Sequence, residues 1–333
     1  LINNNKRHHL KNELKNNKVK VIMGEELSCF LKEKKSDLTI LSISGYESLN
    51  YIESIIINTN ILGIVNKECI VVGGNLIKKL CLLYKTKLFA LDSEHFSIQN
   101  FFNNKITIKK NEIKNIFLTA SGGPFLKRSY KDIKKASFKE AIKHPKWKMG
   151  VKNSIDSASL VNKCLEIIEA HYLFDIKYEK LKILIHPEAF VHSILEFNDY
   201  TSTLNYFYHD MFIPIFNFLK TNCQFTLKIP LKVNYQLKKN ISLNFFEPSN
   251  SNFPILKIFD QMDKYQHKNI INFNSGNELA VKLFSECKIN FGDINKIIEK
   301  SLSIDIKVKL NNIENILIYQ KELINTLQSK IVG

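Results

Sequence analysis

The sequence predicts an α/β fold at its start, an α+β part in its middle and a helical bundle at its end. Three observations predict this. Short apolar runs alternate with helically spaced segments from about residue 38 to 91. Strand-like runs mix with one long amphipathic segment between 116 and 206, and from Pro254 onward the apolar spacing is helical throughout. With 333 residues, 44% of them hydrophobic, the chain can bury more than one core. The expected division is 1–91, 92–220, a linker at 221–251, and a helical domain at 252–333.

Taken in order, residues 10–17 read as a short polar helix, 19–23 as a strand and 25–34 as a helix. Residues 38–44 alternate and end at Gly45, a strand running into a turn. Residues 48–59 have helical spacing, and 62–65 form a short apolar strand that stops at Asn66-Lys67-Glu68. A helix at 75–84 and a strand at 87–91 follow. Strands alternating with helices point to a parallel sheet, in which ligands sit at the carboxyl ends of strands. Both Asn66-Lys67-Glu68 and Asp92-Ser93-Glu94-His95 fall at such ends. A strand at 116–119 then runs into Ser121-Gly122-Gly123-Pro124, and a Lys-rich stretch leads to Gly150. Residues 157–172 read as one strong amphipathic helix, followed by strands at 181–185, 191–197 and 201–206. Helices are expected at 255–265, 276–287, 293–302 and 311–328.

Composition excludes several classes. Six cysteines are scattered without a CxxC pair, which argues against a disulfide framework and a structural zinc site and fits reduced thiols in the cytoplasm. No run of about 18 apolar residues is present, so no membrane span is expected. The formal charge is +16. Its lysines are spread along the whole chain, no helix-turn-helix or clustered basic helix appears, and nucleic acid is not expected as a partner. A phosphorylated substrate fits the charge equally well.

Five segments carry chemistry-bearing residues, each with a plainer reading beside it. Asp92 and Glu94 lie at i and i+2, so in an extended segment both carboxylates point one way. Two close carboxylates repel unless a proton or cation lies between them, and the natural occupant is a hard divalent ion, Mg²⁺ or Mn²⁺. The plainer reading is that Asp92 or Ser93 caps the next helix. Asn162 and Glu166 share a helix face, with Lys163 beside them; a solvated face with a Lys163–Glu166 pair is the alternative. In the same segment Asp156 or Ser157 reads as a helix cap whose amides can hold an anion. The glycines after Ser121 let amides approach a phosphate, or simply make a turn. Residues 144–150, His144-Pro145-Lys146-Trp147-Lys148-Met149-Gly150, hold the only Trp of the chain on a polar loop, read either as a lid or as a loop packed on a core. Lys67 at a strand end can meet a carbonyl or phosphate oxygen, or belong to a charged turn. His186 and His192 read as satisfied core histidines.

Together the strings NKECIV, LDSEH, LTASGGPF, HPKWKMG, IDSASLVNKCLEIIEAHYLF, LIHPEAFVHSILEF and FNSGNELAV resemble 1-deoxy-D-xylulose 5-phosphate reductoisomerase, in the same order and at similar spacing from about Asp37 to Leu302. The resemblance implies that 1-deoxy-D-xylulose 5-phosphate is rearranged, by retro-aldol and aldol steps, and reduced by NADPH to 2-C-methyl-D-erythritol 4-phosphate. It implies a partial Rossmann-like NADPH domain, an α+β catalytic domain and a cytoplasmic homodimer paired through its catalytic domains. Asp92, Glu94 and Glu166 match the family's metal carboxylates, for Mn²⁺ or Mg²⁺. Ser93 and Lys67 match residues at the reacting end of the substrate. Ser121, Ser157, Asn162 and Lys163 match the group around the phosphate, and His144 the loop histidine. Trp147 and Met149 match apolar lid residues, and Asn66, Glu68 and Gly150 match NADPH contacts.

One departure matters. The family's opening GxTGSIG segment, whose glycines let amides reach the NADPH pyrophosphate, has no counterpart here. The sequence therefore reads as entering its first domain part way along. A second expectation follows, that of a fragment that binds metal and sugar phosphate without turning over. Smaller departures are Cys69 for a usual Ser, Cys164 for a usual Gly, and Ser275-Gly276 where two alanines are common.

Overall fold

The computed structural model describes residues 20, 22, 25–103, 108–146, 149–223 and 241–332. The helix expected at 10–17, most of the strand at 19–23, Trp147, and 224–240 of the expected linker lie outside the described residues.

The first part is α1 (Glu25–Glu33), β1 (Ser36–Leu41), α2 (Leu49–Ile57), β2 (Thr59–Ile64), α3 (Lys67–Tyr84) and β3 (Lys87–Ala90). The strands form a parallel sheet in the order β1-β2-β3, with Leu38 opposite Ile61 and Leu62 opposite Leu88. Leu62 and Ile64 on the central strand are fully buried, as a parallel sheet covered on both faces requires. Because the strands are parallel, the segments after β2 and β3 leave from the same edge. That brings Asn66-Lys67-Glu68 and Asp92-Ser93-Glu94 to one side of the sheet.

Helix α3 starts eight residues before the expected 75. The Asn66 side chain accepts a bond from the Cys69 amide (3.1 Å) and caps it. Cys69 through Val72 are all buried, so this first stretch has no polar face and no helical period. Gly74, at φ 48° and ψ −131°, then interrupts the helix, with the Tyr172 ring 3.0 Å from where its Cβ would stand. The periodicity visible in the sequence is that of the second half alone.

The second sheet holds β4 (Ile113–Ala120), β5 (Leu181–Ile185), β6 (Val191–Phe197) and β7 (Ser202–Tyr206), ordered β5-β4-β6-β7. β4 and β5 are parallel; the other pairs are antiparallel. Helix α4 (Ser93–Asn103) precedes it. Between β4 and β5 come α5 (Tyr130–Ile133), α6 (Phe138–Ala141), α7 (Val151–Ser159) and α8 (Val161–Phe174). The single helix expected at 157–172 is thus two, broken at Leu160, which has φ 64°. Ser157 lies in the last turn of α7, not at a helix start, which corrects the expected cap. Helix α7 carries Lys152, Asn153, Ser154, Asp156 and Ser157, and its apolar Val151, Ile155 and Ala158 make only a short stripe at i, i+4 and i+7 in a mostly polar stretch. It is fixed by tertiary burial of Ile155, Ala158 and even Asp156.

Helix α9 (Phe212–Asn222) has no counterpart among the expected elements. Its Phe218 lies against Gly63 of β2, 2.9 Å from where a Cβ would be, and packs edge-on to Phe89 of β3 at 5.4 Å. The chain of the middle part therefore returns to cover the first sheet. In the expected linker, Phe246 and Ile185 exchange backbone bonds of 2.8 and 3.1 Å, adding an antiparallel bridge to the edge of β5.

The C-terminal part is α10 (Ile255–Gln261), α11 (His267–Ser285), α12 (Asp293–Leu302) and α13 (Ile313–Val332). Helix α11 is central and packs on α12, α13 and α3. Asn272, Asn274, Ser275 and Asn277 are polar yet buried there, which hid its first half. A Cβ on Gly276 would overlap the Ser301 side chain and meet the Ile298 backbone at 3.2 Å, so glycine permits the close crossing of α11 and α12. His186 accepts from the Phe190 amide (3.2 Å) and its Nδ1 meets the Asn244 carbonyl (2.9 Å), a satisfied core histidine.

Candidate active site

Helix α4 begins just past β3, and Asp92 Oδ1 accepts from the Glu94 amide at 3.0 Å. This is the capping bond of the plainer reading, and it engages Oδ1, leaving Oδ2 to face Lys67. Helix α8 crosses beside it with Glu166 pointing inward. Carboxylate oxygens of Asp92, Glu94 and Glu166 lie within 4.8 Å of one another. Both readings of Asp92 are thus satisfied by one side chain.

Two ammonium groups are threaded among the three acids. Lys67 Nζ lies 3.4 Å from Asp92 Oδ2 and 3.7 Å from Glu166 Oε1, and donates to Asn162 Oδ1 at 2.9 Å. Lys163 Nζ donates to Glu94 Oε1 at 2.8 Å and stands 2.5 Å from Glu166 Oε2. Asn162 donates to Glu166 Oε1, and Ser93 Oγ to Glu94 Oε2 at 2.5 Å. Burial pushes the Glu166 carboxyl up to about 8, against the pull of Lys163 and with help from Glu94 and Asp92. Burial opposes ionisation of Asp92 as well, yet Lys67 and His95 outweigh it and hold that carboxyl well below its ordinary value. Fully buried His95 has Nδ1 3.1 Å from Asp92 Oδ1 and 3.4 Å from Glu169 Oε2, and Nε2 3.1 Å from the Glu166 carbonyl. It was not singled out as a site residue; its place in the DSEH string was the signal.

Across the cavity, Ser121 Oγ lies 3.0 Å from His144 Nε2. The Lys146 amide donates to His144 Nδ1 (3.2 Å), so Nε2 carries the proton and donates to Ser121. Burial, then the charges of His209 and Lys163, push His144 down to about 4 and keep it neutral. Gly122 and Gly123 have φ of 83° and 64°. A Cβ on Gly123 would stand 2.9 Å from the Ser157 carbonyl oxygen, so this glycine lets the turn close onto α7. Gly123→Ala is expected to lower stability by about 1–3 kcal/mol, checked by chemical denaturation.

Lys67, Asp92, Ser93, Glu94, Ser121, His144, Met149, Ser157, Asn162, Lys163 and Glu166 line one cavity of about 240 Å³. Asn153, Leu160 and Met211 also line it and were not expected. Asn153 is one turn before Ser157 on α7 and would have been found had that helix been drawn from 151; nothing local marks Met211. A larger groove of about 660 Å³ runs along β5 and is lined by Glu179, Glu247 and Asp260, but among the described residues these acids do not converge as Asp92, Glu94 and Glu166 do.

The residues expected at a cofactor stand apart from this cavity. Asn66 is engaged internally: its Nδ2 donates to the carbonyls of Ile43 and Gly45 (2.6 Å to the latter), while Oδ1 caps α3. Glu68 is buried against Lys152 at 2.5 Å. Gly150 caps α7 at φ −60°, with open space where a Cβ would go, so neither backbone nor packing demands glycine. Gly150→Ala is expected to leave the melting temperature within about 2 °C, checked by thermal melting.

His192, buried and stacked on Phe207 at 4.1 Å, is pushed down to about 4 by burial. The folded chain keeps it neutral where the unfolded chain, titrating near 6.5, takes a proton. Stability is full above about pH 6.5 and falls toward pH 4, by at most about 1.4 kcal/mol per unit. Denaturation at pH 5 and 7 should show a smaller difference for His192→Gln than for the parent; an equal difference would count against this origin.

A parallel nucleotide-type sheet, feeding acids and lysines into a cavity closed by a second mixed sheet, defines a metal-assisted enzyme acting on an anionic substrate. Comparison with known proteins gives the family. Models described as 1-deoxy-D-xylulose 5-phosphate reductoisomerase match residues 1–74, and those for its C-terminal domain match 88–174 and 208–325. A reductoisomerase of Pelagibacter ubique is 40% identical over 289 residues, 86% of this chain and 73% of that protein. A solved DOX-P reductoisomerase in complex with NADPH, fosmidomycin and magnesium superposes with a TM-score of 0.83 at 30% identity, covering 98% of this chain and 84% of the other. The Zymomonas mobilis enzyme in complex with NADPH gives 0.81 at 27% identity, covering 99% and 84%. The chain belongs to the 1-deoxy-D-xylulose 5-phosphate reductoisomerase family.

Proposed function

We propose that this chain converts 1-deoxy-D-xylulose 5-phosphate to 2-C-methyl-D-erythritol 4-phosphate, an NADPH- and divalent-metal-dependent step at the entry to non-mevalonate isoprenoid synthesis. The observation that carries the reading is the meeting of Asp92, Glu94 and Glu166, from segments about 70 residues apart, at a cavity that also holds Lys67, Lys163 and Ser121. The donor set fits a hard ion: oxygens only, from three acids whose carboxylates lie within 4.8 Å of one another. When bound, Mg²⁺ or Mn²⁺ supplies Lewis-acid polarisation of the substrate's carbonyl and hydroxyl oxygens, and NADPH supplies the hydride.

The chain's own groups do the rest. Asp92, Glu94 and Glu166 are assigned to the ion. Lys67 and Ser93, which contact these acids, are assigned to the reacting end of the substrate. Ser121, Ser157, Asn162 and Lys163 offer several neutral donors and one ammonium, which suits a phosphate dianion. His144 stays neutral and offers Nε2–H, while Met149, Leu160 and Met211 keep water from the cavity. Asn66, Glu68 and Gly150 are assigned to the nucleotide. On this reading 1–91 is the cofactor domain, 92–220 the catalytic domain, 221–251 a linker and 252–333 the helical domain. The enzyme works as a homodimer in the cytoplasm. Among the described residues no helix is long and apolar enough to cross a membrane.

The test is loss of NADPH absorbance when substrate and Mn²⁺ are added to the purified chain. Turnover is expected, and it requires both additions. Metal and sugar phosphate binding without oxidation would instead support the fragment reading, which none of the comparisons favours.

A further inference from the structure

Behind the cavity lies a second, largely buried ionic group, of which the proposed function uses only Glu68. Lys152, in the first turn of α7 and two residues after Gly150, reaches across to the first turn of α3. Its Nζ is 2.5 Å from Glu68 Oε1 and 2.6 Å from Asp156 Oδ2. The side chains of Glu68 and Asp156 are 7% and 1% exposed and that of Lys152 is 23% exposed, so the two acids are buried while the lysine is only partly so. Asp156 is held in turn from the C-terminal part, where Asn277 Nδ2 donates to its Oδ1 at 2.9 Å. A third acid, Glu278 of α11, stands beside the group, with Oε1 3.7 Å from where a Cβ on Gly45 would be.

We propose that Lys152 is a positioning residue for the nicotinamide nucleotide: it holds the Glu68 carboxylate at the carboxyl edge of the parallel sheet and ties it to α7 and α11. The inference rests on the proposed function, which puts Glu68 and Gly150 at NADPH. A buried carboxylate keeps both its charge and its orientation only if a partner is fixed beside it. Here the partner is one lysine, itself oriented by a second acid that is anchored by an asparagine. Remove the ammonium, and Glu68, Asp156 and Glu278 are left as three acids without a cation among them. Glu68 then takes up a proton or swings away, and either change removes a directed acceptor from the cofactor side. The link also joins the helix that follows the 144–150 loop to the strand edge that would carry the nucleotide. Consistent with this geometry, Lys152, despite burial, is held in its charged form by Asp156 and Glu68, and Glu68 is held below its ordinary value by Lys152.

The experiment is NADPH titration of the full chain, without substrate, by nucleotide fluorescence, for the parent, Lys152→Met, Lys152→Arg and Glu68→Gln. Lys152→Met and Glu68→Gln are each expected to weaken NADPH binding about tenfold or more. The double variant should be no weaker than the weaker single one, since both remove the same interaction. Lys152→Arg should stay within about threefold of the parent, and the Mn²⁺-induced melting shift should persist in all of them. With substrate present, KM for NADPH should rise in Lys152→Met while kcat at saturation changes less. If Lys152→Met does not melt cooperatively, Glu68→Gln decides alone. A parent that binds NADPH beside a Lys152→Met or Glu68→Gln chain that binds it equally overturns the proposal and leaves the enzyme reading standing. A parent that binds no NADPH overturns both.

Discussion

Glu166→Gln is expected to abolish most of the thermal protection that Mn²⁺ or Mg²⁺ gives the parent and to lower turnover by about 10²–10³-fold or more. The reason is positional. Glu166 is the only one of the three acids contributed by α8, and it is 1% exposed, so no water substitutes cheaply for its oxygens. The amide keeps the shape and the bond to Asn162 but gives up the charge that a hard cation needs. Melting curves with and without Mn²⁺ read the effect directly. A variant that shifts as far as the parent would show that Glu166 holds no ion.

Lys67→Met should move the same observable in the opposite direction. The Lys67 ammonium now sits among Asp92, Glu166 and Asn162 at 3.4, 3.7 and 2.9 Å. Removing one partner of a buried ionic group costs about 3–5 kcal/mol, because the remaining charges are left uncompensated. The metal-free variant is therefore expected to melt well below the parent. A divalent ion replaces the missing positive charge, so the Mn²⁺-induced shift should exceed that of the parent. Turnover should still fall by about 10²-fold or more, because the substrate loses a directed ammonium that the ion does not supply. Melting and NADPH oxidation on the same preparations check both halves. An Mn²⁺ shift smaller than the parent's would mean that Lys67 supports ion binding instead of competing for the acids.

Much of this was legible in the chain itself. Strands β1 to β3 and helices α2 and α12 follow the apolar periods that marked them, and the two carboxyl-edge segments, Asn66-Lys67-Glu68 and Asp92-Ser93-Glu94, follow from parallel strands. What misled the reading was polarity in buried places. Past Lys67 and Glu68 the start of α3 is apolar on every side, α11 carries buried asparagines, and α7 has its short Val151, Ile155 and Ala158 stripe set among polar residues. In α3 and α11 the signal that depends on one wet and one dry face was missing, and in α7 it was short. The break at Leu160 had no local mark, since leucine at φ 64° is tolerated only where surrounding packing compels it. Helix α9 was given no element in the sequence reading, which stops at the strand ending at 206 and resumes with the linker at 221; its place becomes clear once Phe218 is seen filling the space over Gly63.

The sequence by itself determined the alternation of elements, the residue types that can hold an ion and a phosphate, and the spacing that puts Asn162 and Glu166 on one helix face. These follow from backbone period and side-chain chemistry, which are local. The family resemblance already grouped Glu166 with Asp92 and Glu94, but only the tertiary structure decided how closely their oxygens meet, that Asn66 turns inward to hold the Gly45 turn, and that Lys152 joins Glu68 to Asp156. Apart from the local Lys152–Asp156 pair, those contacts span about 20 to 85 residues, and their geometry depends on how whole helices pack against two sheets. No short-range pattern encodes that, because the charges that meet there are stable only once the rest of the fold has excluded water around them.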